Sequence, residues 1–243
     1  WSSDVCSSDL VGGATNGALG ALTVNSSGTT TFSAAVTAAS VTTDSGGTTA
    51  INGGTITTTG AQTYNDAVTL GAATTLTSSS SGNINLASTV NGAQALTINT
   101  AGTTTFGGIV GGTTALTSIT TDAAGSLAIN GGAITTTGAQ TYNDAVTLGA
   151  ATTLSAASIT TGSTFNASTY AATLTTDAIA LGGNVSGSAG STLTIQPKTA
   201  TTTIAIGSAA TGTLKLDDTE LGYLQDGFSS ITIGSTDRKS TRL

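Results

Sequence analysis

Apolar residues along this chain come in short alternating pairs. Leu22 and Val24, Leu96 and Ile98, Leu127 and Ile129, Val146 and Leu148, Leu193 and Ile195, Ile204 and Ile206, and Ile231 and Ile233 each stand two residues apart. A period of two puts both side chains of a pair on one face of an extended strand. The Thr, Val and Ile around them favour a pleated, half-buried surface. Clusters such as Asn52-Gly53-Gly54, Asn91-Gly92, Asn130-Gly131-Gly132 and Gly182-Gly183-Asn184 punctuate the pairs, as turns with positive φ require. Helical spacing is confined to LKLDDTELGYLQDGF, residues 214–228. There Asp217 and Glu220 have the spacing of a capping box, and Leu221 and Leu224 share a helical face. The pattern predicts one short helix near 217–226, capping or interrupting the strands, which resume at SSITIG, residues 229–234.

The strands belong to a repeat. AINGGTITTTGAQTYNDAVTLGAATTL, residues 50–76, returns at 128–154 with one difference, Thr55 against Ala133. The offset is 78. ALTVNSSGTTTF at 21–32 returns as ALTINTAGTTTF at 95–106, with offset 74, and GGTT at 111–114 can supply the four extra residues. Leu76, Leu96 and Leu116 open Leu-Thr dipeptides at a spacing of 20, which divides the long unit into about four coils of 19 to 20 residues. A short unit of this kind buries its apolar face only against its neighbours. The prediction is an all-β parallel β-helix, a β-solenoid of about 11 coils of about 20 residues with about three strands each. At about 4.8 Å per coil it would form a rod about 50 Å long.

Composition narrows the functional classes. The chain has 243 residues, 33 of them Gly and 56 Thr, with 7% charged, no His, no Met and one Cys. Without His, the commonest general base and metal ligand is absent. One Cys permits neither an internal disulfide framework nor a cysteine zinc site. A net charge of −7 speaks against nucleic acid as a partner, because phosphates demand Lys and Arg. No run of eighteen apolar residues marks a membrane span. WSSDVCSSDL at 1–10 holds the only Trp and Cys, and RKSTRL at 238–243 holds three of the five basic residues. Both ends resemble translated sequencing-adapter read-through. Residues 1–10 and 237–243 are therefore set apart as artefact segments, and 11–236 is read as the repeat region of a longer protein.

The phrases LTINTAGTTTFGG, TTTGAQTYNDAVTLGAATTL, STLTIQPKTATTTIAIG and TELGYLQDGFSSITIG resemble the repeat regions of very large bacterial surface proteins, the filamentous haemagglutinin-like adhesins and autotransporter passengers. The resemblance covers most of residues 11–236. It implies a right-handed parallel β-helix, secreted and held at the bacterial cell surface in association with the outer membrane. It also implies a structural and display role in surface attachment or biofilm formation, with host-cell or surface glycans and proteins as partners and the neighbouring coils of the full-length chain as its structural context.

The residues themselves offer little for catalysis, so neither a catalytic, a cofactor-binding nor a metal-binding set is assigned, and no cofactor is expected. Asp66 with Asp144, and Asp44 with Asp122, stand one repeat apart. Four coils would separate them by about 19 Å, beyond the reach of a paired-carboxylate glycosidase. Asp217, Asp218 and Glu220 read as helix capping and solvation, and Lys198 and Lys215 as solvated. Asp44, Asp122 and Asp177 in TTD, and Asp66 and Asp144 in YND, read as turn residues bonding their own backbone, since the GGxGxD turns of a calcium β-roll are missing. Tyr64 and Tyr142 could stack on sugars but read better as filling. Asn25, Asn166 and Asn184 in N-x-S read as turn or ladder residues rather than glycan sites. Thr triplets at 29–31, 57–59, 103–105, 135–137 and 201–203 are spaced too unevenly for an outward ladder of the ice-binding kind. A carbohydrate- or ice-binding solenoid module is the alternative reading, and a polysaccharide-degrading β-helix enzyme a remote second.

Overall fold

The alternation of the sequence becomes alternation of burial. In Ala95–Thr100, for example, Leu96, Ile98 and Thr100 point inward while Thr97 and Asn99 point out. The computed structural model describes residues 4–5 and 18–234. The flanking segments set apart above lie outside those residues, except Asp4–Val5, a short strand paired with Thr29–Phe32.

Every strand pair described is parallel, and between residues 19 and 196 each strand pairs with neighbours roughly one coil away. Thr55–Thr58, Gln62–Tyr64 and Ala67–Leu70 show the three faces of a single coil. The strand Val36–Thr43 rounds the corner between the first two faces. Its first half pairs with Thr55–Thr58 and its second half with Gln62–Tyr64, which joins both faces into one continuous sheet. The third face carries two five-stranded sheets, linked by bridges from Val110 to Val90 and to Ile134. The fold is a parallel β-solenoid with a single short helix among the described residues.

It makes about nine turns rather than the expected eleven. On the first face the inward positions Val36, Ile56, Leu76, Ile98, Thr121, Tyr142, Thr161 and Leu181 stack in register, at intervals of 20, 20, 22, 23, 21, 19 and 20 residues. The longer coils consume chain. The longest contains Gly111–Thr114, the expected insertion, where Thr113 and Thr114 donate their N–H groups to Oδ1 of Asn91. Residues 197–229 then leave the regular stack.

Uneven coils overturn one expectation. The two copies of the 27-residue block do not lie four coils apart in the same orientation. In the first copy, Ile56, Gln62 and Val68 lie on the first, second and third faces. In the second, Ile134 lies on the third face, Gln140 on the first and Val146 on the second. The offset of 78 is thus about three and two-thirds coils, and the block has rotated by one face. Its interior bonding survives. The Tyr64 hydroxyl donates to Gln62 Oε1 at 2.9 Å, and Gln62 Nε2 donates to the carbonyls of Ile56 and Thr77. Tyr142, Gln140, Ile134 and Ser155 repeat that arrangement. Gly54 and Gly132 hold the same turn with φ of 74° and 77°, a backbone region costly for residues with a Cβ.

The interior is a column of ladders with Phe32, Tyr64, Phe106, Tyr142 and Phe165 among its largest fully buried side chains. Residues 197–229 close its C-terminal end. Leu214 and Leu216 are fully buried there, and the helix Asp218–Tyr223 follows with the predicted capping box, slightly shorter than the span expected. Glu220 has two roles. Its Oε2 accepts from Asp217 N–H, and its Oε1 accepts from Leu181 N–H, the last strand of the first face. The strand Ser230–Ile233 resumes the third face by pairing with Thr192–Gln196. Glu220→Ala should therefore loosen the helix and expose the strand edge together. The expected loss is about 1–2 kcal/mol in chemical denaturation, with faster hydrogen exchange at the Leu181 amide.

Candidate functional site

The acidic residues serve the stack. Asp44 Oδ1 accepts from Ser26 N–H, and Asp122 Oδ1 from Thr100 N–H, each at 3.0 Å and each one coil earlier. Asp66 accepts from Gly47 N–H and from the Thr49 hydroxyl. Asp177 accepts from the N–H groups of Lys198 and Thr199 and from the hydroxyls of Thr199 and Thr202, one coil later. These side chains were expected to bond their own turns; instead each fastens one coil to the next. Asn65 and Asn143 do the same, donating to the carbonyls of Thr43 and Thr121. The lysines are also engaged. Lys198 donates to Thr136 O and Lys215 to Ser208 O.

The structure brings together Asp pairs that the repeat offset had not suggested. Asp44 and Asp66 occupy one corner in adjacent coils, and Asp122 and Asp144 occupy another. Among the differences in their surroundings, one touches the carboxylate directly. Where Asp66 meets the Thr49 hydroxyl, the equivalent position beside Asp144 is Leu127. Both Asp144 oxygens are buried with no hydrogen-bond partner. Burial pushes the Asp144 carboxyl above its ordinary range, and the charge of Asp122 adds to this. Thr121 and Gly125 temper the shift without completing a hydrogen bond to the carboxylate. Asp177 moves the other way. Desolvation is the largest single influence there and opposes ionisation, but the bonds from Thr199, Thr202 and Lys198 together outweigh it.

Among the described residues, no three His, Cys, Asp or Glu side chains gather as a metal would require. Asp217 and Glu220 are occupied in capping, and Asp218 in holding the loop at Ser208. Asp217 accepts from Glu220 N–H, and Asp218 accepts from Ser208 N–H. Tyr64 and Tyr142 are fully buried, which removes them from any sugar-stacking role, and their hydroxyls are pushed far above the usual phenol range by burial. Asn25, Asn166 and Asn184 are exposed, and Asn166 holds a turn through Ser168 N–H.

The outer surface does carry one extended array. Thr55, Thr75, Thr97, Thr120, Thr141 and Thr160 are in register on six consecutive coils of the first face. Thr37, Thr57 and Thr77 form a shorter rank beside them. Thr153, Thr173, Thr194 and Thr232 form another on the third face. The triplets themselves are scattered over different faces, so the expectation that they do not stack holds. An outward Thr ladder exists nonetheless, built from residues that no local motif singles out. Its hydroxyls and methyls repeat at about the strand spacing of 4.8 Å, over about 24 Å.

No known protein-family model matches this chain, and neither a curated protein nor a solved structure matches it.

Asp66 and Asp144 give a matched pair for substitution. A folded-state pKa above the unfolded one favours folding fully below the ordinary carboxylate range. That advantage is lost as pH rises through the raised value. Asp144→Asn should therefore raise stability at pH 7, by about 1–2 kcal/mol, with the gain shrinking as pH falls toward 4. Asp66→Asn, which disturbs bonds to Gly47 and Thr49, should lower stability at pH 7. Thermal unfolding across pH checks both signs.

Proposed function

We propose that this chain is a structural and display segment of a large secreted bacterial surface adhesin, a stalk that contributes length and stiffness to surface attachment or biofilm formation. One observation carries the reading. A nearly identical 27-residue block is used in two orientations, so equivalent side chains leave the rod on different faces while their inward packing and bonds are kept. A recognition or catalytic surface needs its groups on a common face. A spacer needs only that each coil stack on the next. The resemblance of the repeat phrases to adhesin repeat regions points the same way, and on this reading the segment performs no catalysis of its own. No helix among the described residues is long and apolar enough to cross a membrane.

The test is surface display of one, two and three tandem copies on bacterial cells, each ending in an epitope tag. A stalk predicts that a bulky antibody reaches the tag more readily as copies are added. It also predicts that a flexible Gly/Ser linker of equal residue number gives a smaller gain. Equal access for linker and repeat would remove the stalk reading.

The Thr ladder favours a second reading, a binding face for a flat, periodic, hydroxyl-rich surface such as ice or an ordered polysaccharide. Replacing Thr97 and Thr141 with Lys would break the ladder at two half-exposed positions. If the face binds ice, inhibition of recrystallisation should be present in the parent and lost in the double variant. Absence of inhibition in the parent, with a blank polysaccharide pull-down, would leave the stalk reading alone.

A further inference from the structure

We propose that Asn91 is a self-modifying site, which converts to aspartate by attack of its own backbone, and that the product locks the loop at residues 111–114. Asparagine followed by glycine suits this reaction, because a following residue with no Cβ leaves the backbone nitrogen unshielded. The described residues hold three such pairs, Asn52-Gly53, Asn91-Gly92 and Asn130-Gly131, and Asn16-Gly17 lies outside them. The glycine nitrogens are all tied across coils. Gly53 donates to Phe32 O at 2.8 Å, Gly131 to Phe106 O at 3.1 Å and Gly92 to Thr114 O at 3.2 Å. The asparagine side chains are where the three differ.

Of the three, Asn91 has its amide oxygen in a cradle. Its Oδ1 accepts from the N–H groups of Thr113 and Thr114, at 3.0 and 3.2 Å. The same oxygens of Asn52 and Asn130 lie over Gly71 and Gly149, whose N–H groups go instead to the carbonyls of Ile51 and Ile129. Attack on Asn91 Cγ puts negative charge on Oδ1, where two backbone N–H groups already point. Donors placed on a developing oxyanion speed such a step. Thr114 also holds the other reactant, since its carbonyl receives the Gly92 N–H. One residue thus positions electrophile and nucleophile together.

The reaction balances with water alone. Gly92 N bonds to Asn91 Cγ, the Cγ–Nδ2 bond breaks, and ammonia leaves with the proton that Gly92 loses. Water then adds to Cγ of the resulting cyclic imide, the N–Cγ bond breaks, and Gly92 regains a proton. A carboxylate now stands where the amide stood, facing the same two N–H groups. The stack already uses that arrangement elsewhere. Asp177 Oδ1 accepts from the N–H groups of Lys198 and Thr199, at 3.0 and 2.7 Å and about one coil later. A charged acceptor holds such donors about twice as firmly as a neutral one. Modification therefore tightens the loop that takes up the extra length of the longest coil.

Peptide mapping by mass spectrometry tests this on the full chain, aged in mildly alkaline buffer both folded and in denaturant. In denaturant the three sites should convert at similar rates. In the folded chain Asn91 should convert at least about tenfold faster than Asn52 or Asn130. Its product should be mainly aspartate rather than isoaspartate, because the cradle directs water to Cγ. Thr113→Pro removes one of the two donors and should slow Asn91 at least about tenfold, with circular dichroism confirming the fold. Asn91→Asp should slow hydrogen exchange at the Thr113 and Thr114 amides about tenfold. Equal folded rates at the three sites overturn the proposal, and so does faster conversion at Asn52 or Asn130; that comparison needs no variant. Exchange at Thr113 and Thr114 that is unchanged in Asn91→Asp overturns the lock. The outcome is independent of the stalk reading, which concerns stiffness of the whole rod.

Discussion

Every coil in this molecule depends on its neighbour for the backbone partners it cannot supply itself. A strand of three to five residues has no stability alone. Its N–H and C=O groups must be met by the coils before and after, or by something that substitutes for them. That requirement explains features that look unrelated. It explains why Asp44, Asp66, Asp122, Asn65 and Asn143 reach about one coil away instead of closing their own turns. It also explains the segment 197–229, where Glu220 accepts from the last first-face strand while Leu214 and Leu216 seal the core behind it.

The interior obeys a second requirement with less rigour. Gln62 with Tyr64, and Gln140 with Tyr142, are buried polar groups in closed networks, and such groups add specificity when every partner is present. Thr30, Thr43, Thr104 and Thr161 turn hydroxyls inward with no partner, each forfeiting about 1–3 kcal/mol relative to a satisfied group. A long ladder of stacked coils tolerates these local deficits because each is confined to a pair of neighbours. Asp144 is the sharpest case. One residue, Leu127 in place of Thr, removes the hydroxyl that its counterpart Asp66 uses.

Local pattern was legible in the sequence and long-range register was not. The two-residue period marked the strands, the Asp217–Glu220 spacing marked the helix cap, and SSITIG marked the return to the stack. Each of these depends on residues within a few positions of one another. Register depends on coil length, and coil length varies from 19 to 23 through turns whose extra residues leave no periodic trace. Leu76, Leu96 and Leu116 are evenly spaced yet do not share a ladder: Leu76 stacks on Ile98, and Leu96 on Ile119. The Thr ladder was hidden for the same reason, since its members stand 20, 22, 23, 21 and 19 residues apart. A triplet is a local signal, whereas the array is assembled only in space.

The rotated repeat block joins these threads. Each of its strand–turn units is found on two of the three faces, because those faces ask for the same things: inward-pointing buried side chains, a turn that admits Gly, and a polar side chain that reaches a neighbouring coil. A sequence built from such interchangeable units can gain or lose a third of a coil without breaking the stack. What it loses is control over which side chains share a face. That trade suits a rod whose duty is extension. It also means that a surface with chemistry of its own must arise where register happens to align like residues, as it does for Thr on the first face, rather than from the repeat itself.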